Sequence, residues 1–121
     1  AEEIVANSRG HAILAESTSL RELAALVRKA SLFVGSDTGP MHMAAAVGTP
    51  CVSLFGPTRP EECGPYGEGH ETIQRYYQDG SSAERRGSDN QAMRAITVDD
   101  VMLACKHIID RPKDEPSQQV A

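Results

Sequence analysis

Two short apolar runs, Leu32-Phe33-Val34 and Cys51-Val52-Ser53-Leu54-Phe55, bracket a stretch whose apolar positions change period. Both runs are rich in Val, Leu and Phe and too short for helices, so they read as buried strands. Between them Gly39-Pro40 opens a helix, with proline at its first position, where no N–H partner is lost. Met41, Ala44, Ala45 and Val47 continue the helix, Gly48 supplies a left-handed stop and Pro50 forbids continuation. A strand–helix–strand unit this short implies a parallel pair with a right-handed crossover.

The flanks extend the same logic. Residues 2 to 7 read as helix and Asn7-Ser8-Arg9-Gly10 as its stop, followed by a short strand over His11–Ala15. Ser19 and Glu22 form the reciprocal cap of a second helix, with Leu20, Leu23, Ala24, Val27 and Ala30 on one face. Arg59 to His70, rich in Gly, Pro and acidic residues, reads as a loop with a single helical turn. An edge strand is expected over Glu71–Tyr77, and a polar, mobile segment over Gln78–Gln91. Thr97 caps a final helix with Val98, Val101, Met102, Cys105, Ile108 and Ile109 as its buried face. From Arg111 the composition predicts a disordered tail. The order predicts an α/β fold, a Rossmann-like sandwich with a mostly parallel sheet, in one domain over residues 1–110.

Composition narrows the function classes. The chain has 121 residues and a net charge of -5, with neither a basic stripe nor an aromatic platform, which argues against nucleic acid as a partner. No run approaches a membrane span and no leader pattern is present. Cys51, Cys63 and Cys105 match neither a disulfide framework nor a zinc site, so small core residues in a reducing compartment are expected. The opening Ala1–Ala6 resembles the last turns of a helix, so the chain is expected to be part of a longer protein.

The candidate chemistry lies where the first strand hands over to the helix. Asp37, Thr38 and Gly39 fall at the carboxyl end of a parallel strand, where α/β proteins bind ligands. They also precede a helix whose first N–H groups are free and whose dipole is positive there. A phosphate or diphosphate is the natural guest, with His42 one turn in as a further donor. A plain turn and cap also suits Asp37 and Thr38, and a surface histidine bonded to the next loop also suits His42. Gly56-Pro57-Thr58 is either a strand-ending turn or a contact by Thr58 to the same ligand.

The run Ser36-Asp37-Thr38-Gly39-Pro40-Met41-His42-Met43-Ala44-Ala45-Ala46 resembles the heptosyltransferase family of glycosyltransferases (family nine). The likeness continues through Gly48-Thr49-Pro50, Leu54-Phe55-Gly56-Pro57-Thr58 and Gly64-Pro65-Tyr66-Gly67, and upstream through Ser17-Thr18-Ser19-Leu20-Arg21-Glu22-Leu23. It implies the carboxy-terminal, donor-binding half of a two-domain (GT-B) enzyme. Such an enzyme moves heptose from ADP-heptose to the lipopolysaccharide core with inversion, without catalytic metal or other cofactor, in the cytoplasm or at the inner membrane's surface. Residue by residue, the resemblance puts Thr38 and Gly39, beside Pro40, against the diphosphate. It puts Asp37 towards the sugar, His42 on the phosphate side and Ser17-Thr18 along the adenine. The acceptor site and general base belong to a partner domain that this chain lacks, as it lacks the donor domain's opening strand–loop–helix. No catalytic residue is therefore assigned here, and the chain alone is expected to bind donor weakly and transfer nothing. An exposed sheet edge left by missing strands predicts self-association, which light scattering would detect. A non-enzymatic nucleotide-binding module and a purely structural α/β domain stay open as alternatives.

Overall fold

Every position of Cys51–Phe55 is apolar or small because this strand is the middle of a three-stranded sheet covered on both faces. The computed structural model describes residues 1–112. Its elements are α1 (Glu2–Asn7), α2 (Leu20–Arg28), β1 (Phe33–Ser36), α3 (Gly39–Ala46), β2 (Cys51–Phe55), α4 (Pro60–Cys63), β3 (Glu71–Gln74), α5 (Ser82–Gly87), α6 (Gln91–Arg94) and α7 (Val98–Ile109). The sheet order is β1-β2-β3 and both pairings are parallel, with Val34 opposite Val52 and Leu54 opposite Ile73.

Alternation along β2 divides the core in two. Cys51 turns to one face, where it joins Val27 of α2 and Ala44 of α3, with Leu23, Phe33, Ala45 and Val47 around them. Val52 turns to the other, against Ala104 and Ile108 of α7, with Leu54, Ile73, Val101 and Cys105. The result is the expected three-layer α/β sandwich built around β1–α3–β2.

Local signals explain most boundaries. Ser19 and Glu22 form the reciprocal cap of α2: Glu22 N–H donates to the Ser19 hydroxyl and Ser19 N–H to the Glu22 carboxylate at 2.7 Å. Gly48 adopts φ +83° after α3, the left-handed stop that only glycine takes without strain. Thr97 and Asp100 cap α7 in the same reciprocal way, and Arg75 after β3 grips both oxygens of Asp100 through Nε and Nη2. The backbone N–H of Thr97, followed by burial and Arg75, is what moves the Asp100 carboxyl, with a net shift downwards.

Several expectations are corrected. His11–Ala15 is irregular chain, with Ile13 90% exposed, because a strand needs a ladder partner and the free edge of β1 does not supply one to it. The edge strand stops at Gln74 rather than Tyr77, where the Arg75 side chain leaves for Asp100. Gln78–Gln91 is not featureless: Ser81 and Glu84 form another reciprocal cap and start α5. On α7 the covered stripe is Val101, Ala104, Cys105 and Ile108, whereas Val98, Met102 and Ile109 are exposed beside it. Leu20 of α2 is likewise exposed. All three cysteines are free thiols, Cys51 buried with its thiol pushed up by desolvation. No helix among the described residues is long and apolar enough to cross a membrane. The tail expected from Arg111 falls, from residue 113 onwards, outside the described residues.

Candidate anion corner and ligand cleft

At the end of β1 the chain turns through Asp37 and Thr38 into α3. Thr38 is extended (φ -148°, ψ 164°), and its hydroxyl donates back to the Ser36 carbonyl at 3.3 Å instead of capping the helix. The Thr38 carbonyl accepts from Met41 N–H at 3.0 Å and from His42 N–H at 3.3 Å. Pro40, second rather than first in the helix, has no N–H to offer. That leaves the N–H groups of Thr38 and Gly39, which find no acceptor among the described residues. A Cβ placed on Gly39 would meet nothing within 4 Å, so the corner is open. Two unpaired donors at the positive end of an eight-residue helix suit a negatively charged oxygen ligand.

Asp37 is not left bare beside that corner. Its Oδ1 lies 3.2 Å from Nε2 of His42 across the first turn of α3, an arrangement that requires the proton on Nε2 when the ring is neutral. The carboxylate is 22% exposed and the imidazole 48%. Asp37 also lines a cleft of about 230 Å³ with Ser36, Leu54, Gly56, Pro57, Thr58, Asn90 and Met93. This cleft sits at the carboxyl ends of β1 and β2, with an apolar floor from Leu54 and Met93 and polar groups from Asp37, Thr58 and Asn90.

Thr58 is held there from β3. Gln74 Nε2 donates to the Thr58 carbonyl at 2.8 Å and to the Gly56 carbonyl at 3.3 Å, and Gln78 N–H donates to Gly56 as well at 3.0 Å. Gly56 has no room for a side chain, since a Cβ would stand 2.9 Å from Met93 Cγ and 3.2 Å from its backbone N. The close approach of α6 to the end of β2 therefore depends on glycine.

The structure thus gathers Asp37, Thr38, Gly39, Pro40, His42 and Thr58 at one end of the sheet, the last through the cleft it shares with Asp37. Ser17 and Thr18 lie in the exposed segment before α2 and do not line the cleft. Sequence reasoning missed Asn90, which reaches the cleft from a segment read as mobile, and Met93 just beyond that segment. It also missed His70, whose Nδ1 accepts from Cys51 N–H at 3.1 Å while Nε2 donates to the Tyr66 carbonyl at 3.2 Å. Burial lowers the His70 pKa, which keeps the ring neutral and able to accept at Nδ1. Other recesses are less suited: one of about 480 Å³ lies by Ser31, Pro50 and Gly69 at the amino ends of the strands.

Comparison with known proteins gives the family. The family model of glycosyltransferase family 9 (heptosyltransferase) matches residues 1–118, and the chain belongs to that family. It is 36% identical over 107 residues to lipopolysaccharide heptosyltransferase 3 of Escherichia coli (strain K12), covering 86% of this chain and 30% of that protein. Lipopolysaccharide heptosyltransferase 1 of Pseudomonas aeruginosa PAO1 is 47% identical over 49 residues, covering 40% of this chain and 14% of that protein. A solved structure of E. coli ADP-heptose LPS heptosyltransferase II superposes with a TM-score of 0.72 at 27% identity, covering 89% of this chain and 32% of that one. The chain therefore spans less than a third of the curated relatives it matches.

Proposed function

We propose that this chain is the donor-binding part of a metal-independent, inverting glycosyltransferase that uses an ADP-sugar, ADP-heptose above all, in lipopolysaccharide core synthesis. The observation that carries the reading is the pair of unpartnered N–H groups at Thr38 and Gly39, beside a cleft at the strand ends. Displacing ADP from an anomeric carbon builds negative charge on the diphosphate. Preorganised donors at that position lower the barrier, each worth roughly 10²–10³ in rate where such donors have been removed from enzymes. The helix dipole adds to them, so the leaving group is stabilised by backbone rather than by a cation.

In this reading Thr38 and Gly39, next to Pro40, hold the diphosphate and His42 its flank. The hydrogen bond from His42 keeps the Asp37 carboxylate engaged and leaves its second oxygen for sugar hydroxyls. Thr58 adds a hydroxyl from across the cleft. Ser17 and Thr18 border the adenine from the segment before α2. The general base and acceptor site come from elsewhere in a full-length enzyme, so the chain by itself binds donor weakly and transfers no sugar. The cytoplasm, or the inner membrane's cytoplasmic surface, is where such an enzyme meets its donor.

Isothermal titration with ADP and with ADP-heptose tests the reading. Binding of both, tighter for the ADP-sugar, is expected. Equal binding of the two would favour a nucleotide-binding module without sugar recognition, and silence at millimolar ADP would overturn the donor site. Detectable heptosyl transfer by the chain alone would refute the division of labour.

A further inference from the structure

Across Pro57, Thr58 and Asn90 the cleft continues into a groove of about 380 Å³, whose other walls are Ser82, Arg85 and Ser88. No carboxylate lines it. Arg85 is held in place: Nη1 donates to the Tyr77 hydroxyl at 3.1 Å and Nη2 to the Ser82 hydroxyl at 3.3 Å. The ring of Tyr77 also carries the Arg59 guanidinium, 4.4 Å from its centroid. Two guanidiniums thus share one tyrosine, and neither has a carboxylate ion-pair partner among the described residues. In a chain of net charge -5 an oriented cation without a counter-charge is a local reversal of the molecule's field. Hydroxyl donors accompany it. Ser82 accepts from Arg85 and so keeps its own proton to give, and the Thr58 hydroxyl has no hydrogen-bond partner among the described residues. A planar guanidinium flanked by hydroxyl donors matches a phosphate group.

We propose that this groove is a second anion site, which takes a phosphate monoester carried on a sugar. The corner at Thr38 and Gly39 lines neither the cleft nor the groove, and the cleft, lined by Asp37, Thr58 and Asn90, adjoins the groove. A phosphorylated saccharide can then lie with its phosphate on Arg85 and its ring at the groove's mouth by Thr58 and Asn90, which leaves Asp37 and the cleft to the donor sugar. As one phosphate contact to an acceptor whose main site lies elsewhere in a full-length enzyme, its role rests on the function proposed above; the anion site itself does not.

The test is a titration of the ¹⁵N-labelled chain with inorganic phosphate and with glucose 6-phosphate, each with and without ADP. Amide shifts centred on Thr58, Ser82 and Arg85 are expected, with glucose 6-phosphate bound more tightly than free phosphate and ADP leaving both in place. Arg85→Gln should weaken binding by about tenfold or more while ADP affinity is unchanged. Tyr77→Phe keeps the charge, removes the hydroxyl that orients it, and should weaken binding severalfold. Shifts in the groove without any ADP binding would uphold the anion site and end the donor reading. No shift in the groove while ADP moves Thr38 and Gly39 would overturn this site and spare the donor reading. Phosphate displaced one for one by ADP would likewise overturn it, since the groove would then belong to the donor diphosphate.

Discussion

Gly39→Ala separates the anion corner from everything else in the molecule. The added methyl meets no protein atom within 4 Å, so it creates no internal clash. Alanine gains roughly 0.5–1 kcal/mol over glycine within a helix. Against that gain, a residue with a Cβ directly before Pro40 is disfavoured in helical conformation, a restriction that glycine escapes. The two effects oppose each other, and the melting temperature should stay within a few degrees of the parent. Binding should respond differently. A phosphate oxygen that accepts from the Gly39 N–H must sit beside the position of the new methyl. Losing one hydrogen bond to a charged group costs about 1.5–3 kcal/mol, which is roughly 10- to 100-fold in affinity. Calorimetry with ADP on both proteins, with thermal melts alongside, reads the contrast. Equal ADP affinity in the folded variant would refute the claim that this corner holds phosphate.

Further outcomes follow from the same geometry. Asp37→Ala should leave ADP affinity equal or better, since a negative charge is removed near the diphosphate, but should abolish the preference for ADP-heptose over ADP in titrations. Because the Asp37–His42 pair is solvent-exposed, its loss should cost at most about 1 kcal/mol in denaturant unfolding. Gly56→Ala forces a methyl to within 2.9 Å of Met93 Cγ, where Met93 can swing away, and to 3.2 Å of the Met93 backbone nitrogen, which moves only with α6. Overpacking of this kind costs about 1–3 kcal/mol, or roughly 4–8 °C of melting temperature per kcal/mol in a domain near this size. His70, whose folded pKa is depressed by burial, binds fewer protons folded than unfolded. Its contribution is therefore complete above its ordinary value of 6.5 and is lost as pH falls through the folded value. Stability measured from pH 7.5 downwards should begin to fall near 6.5, well above the carboxylate range, and His70→Ala should remove that early slope.

The strand–helix–strand centre was legible because three kinds of signal agreed there. Apolar runs, the Gly39-Pro40 start and the Gly48 stop all pointed to the same boundaries, and the structure forms β1, α3 and β2 where they pointed. The same long motif carried the family. Where polar composition was weighed instead of local chemistry, the reading went astray. Ser81-x-x-Glu84 is the same capping signature used for Ser19 and Glu22, yet the surrounding Gly and Ser residues masked it, and α5 and the cleft residue Asn90 were lost with it. The misread strand at His11–Ala15 failed for another reason. Pairing is a property of neighbours in space, and β1 gives that segment none. On α7 the helical period was right but the phase was not. Val98, Met102 and Ile109 flank the true contact stripe, whose centre is the unassuming Ala104. The Asp37–His42 bond was equally out of reach, because spacing puts two side chains on one turn but does not say that they meet.

The most direct measurement is a ¹H–¹⁵N correlation spectrum of the chain as ADP is added. The account predicts that the largest amide shifts are those of Thr38 and Gly39, downfield as each N–H gains a charged acceptor, with His42 following. A spectrum in which ADP moves other amides and leaves those two untouched would contradict it.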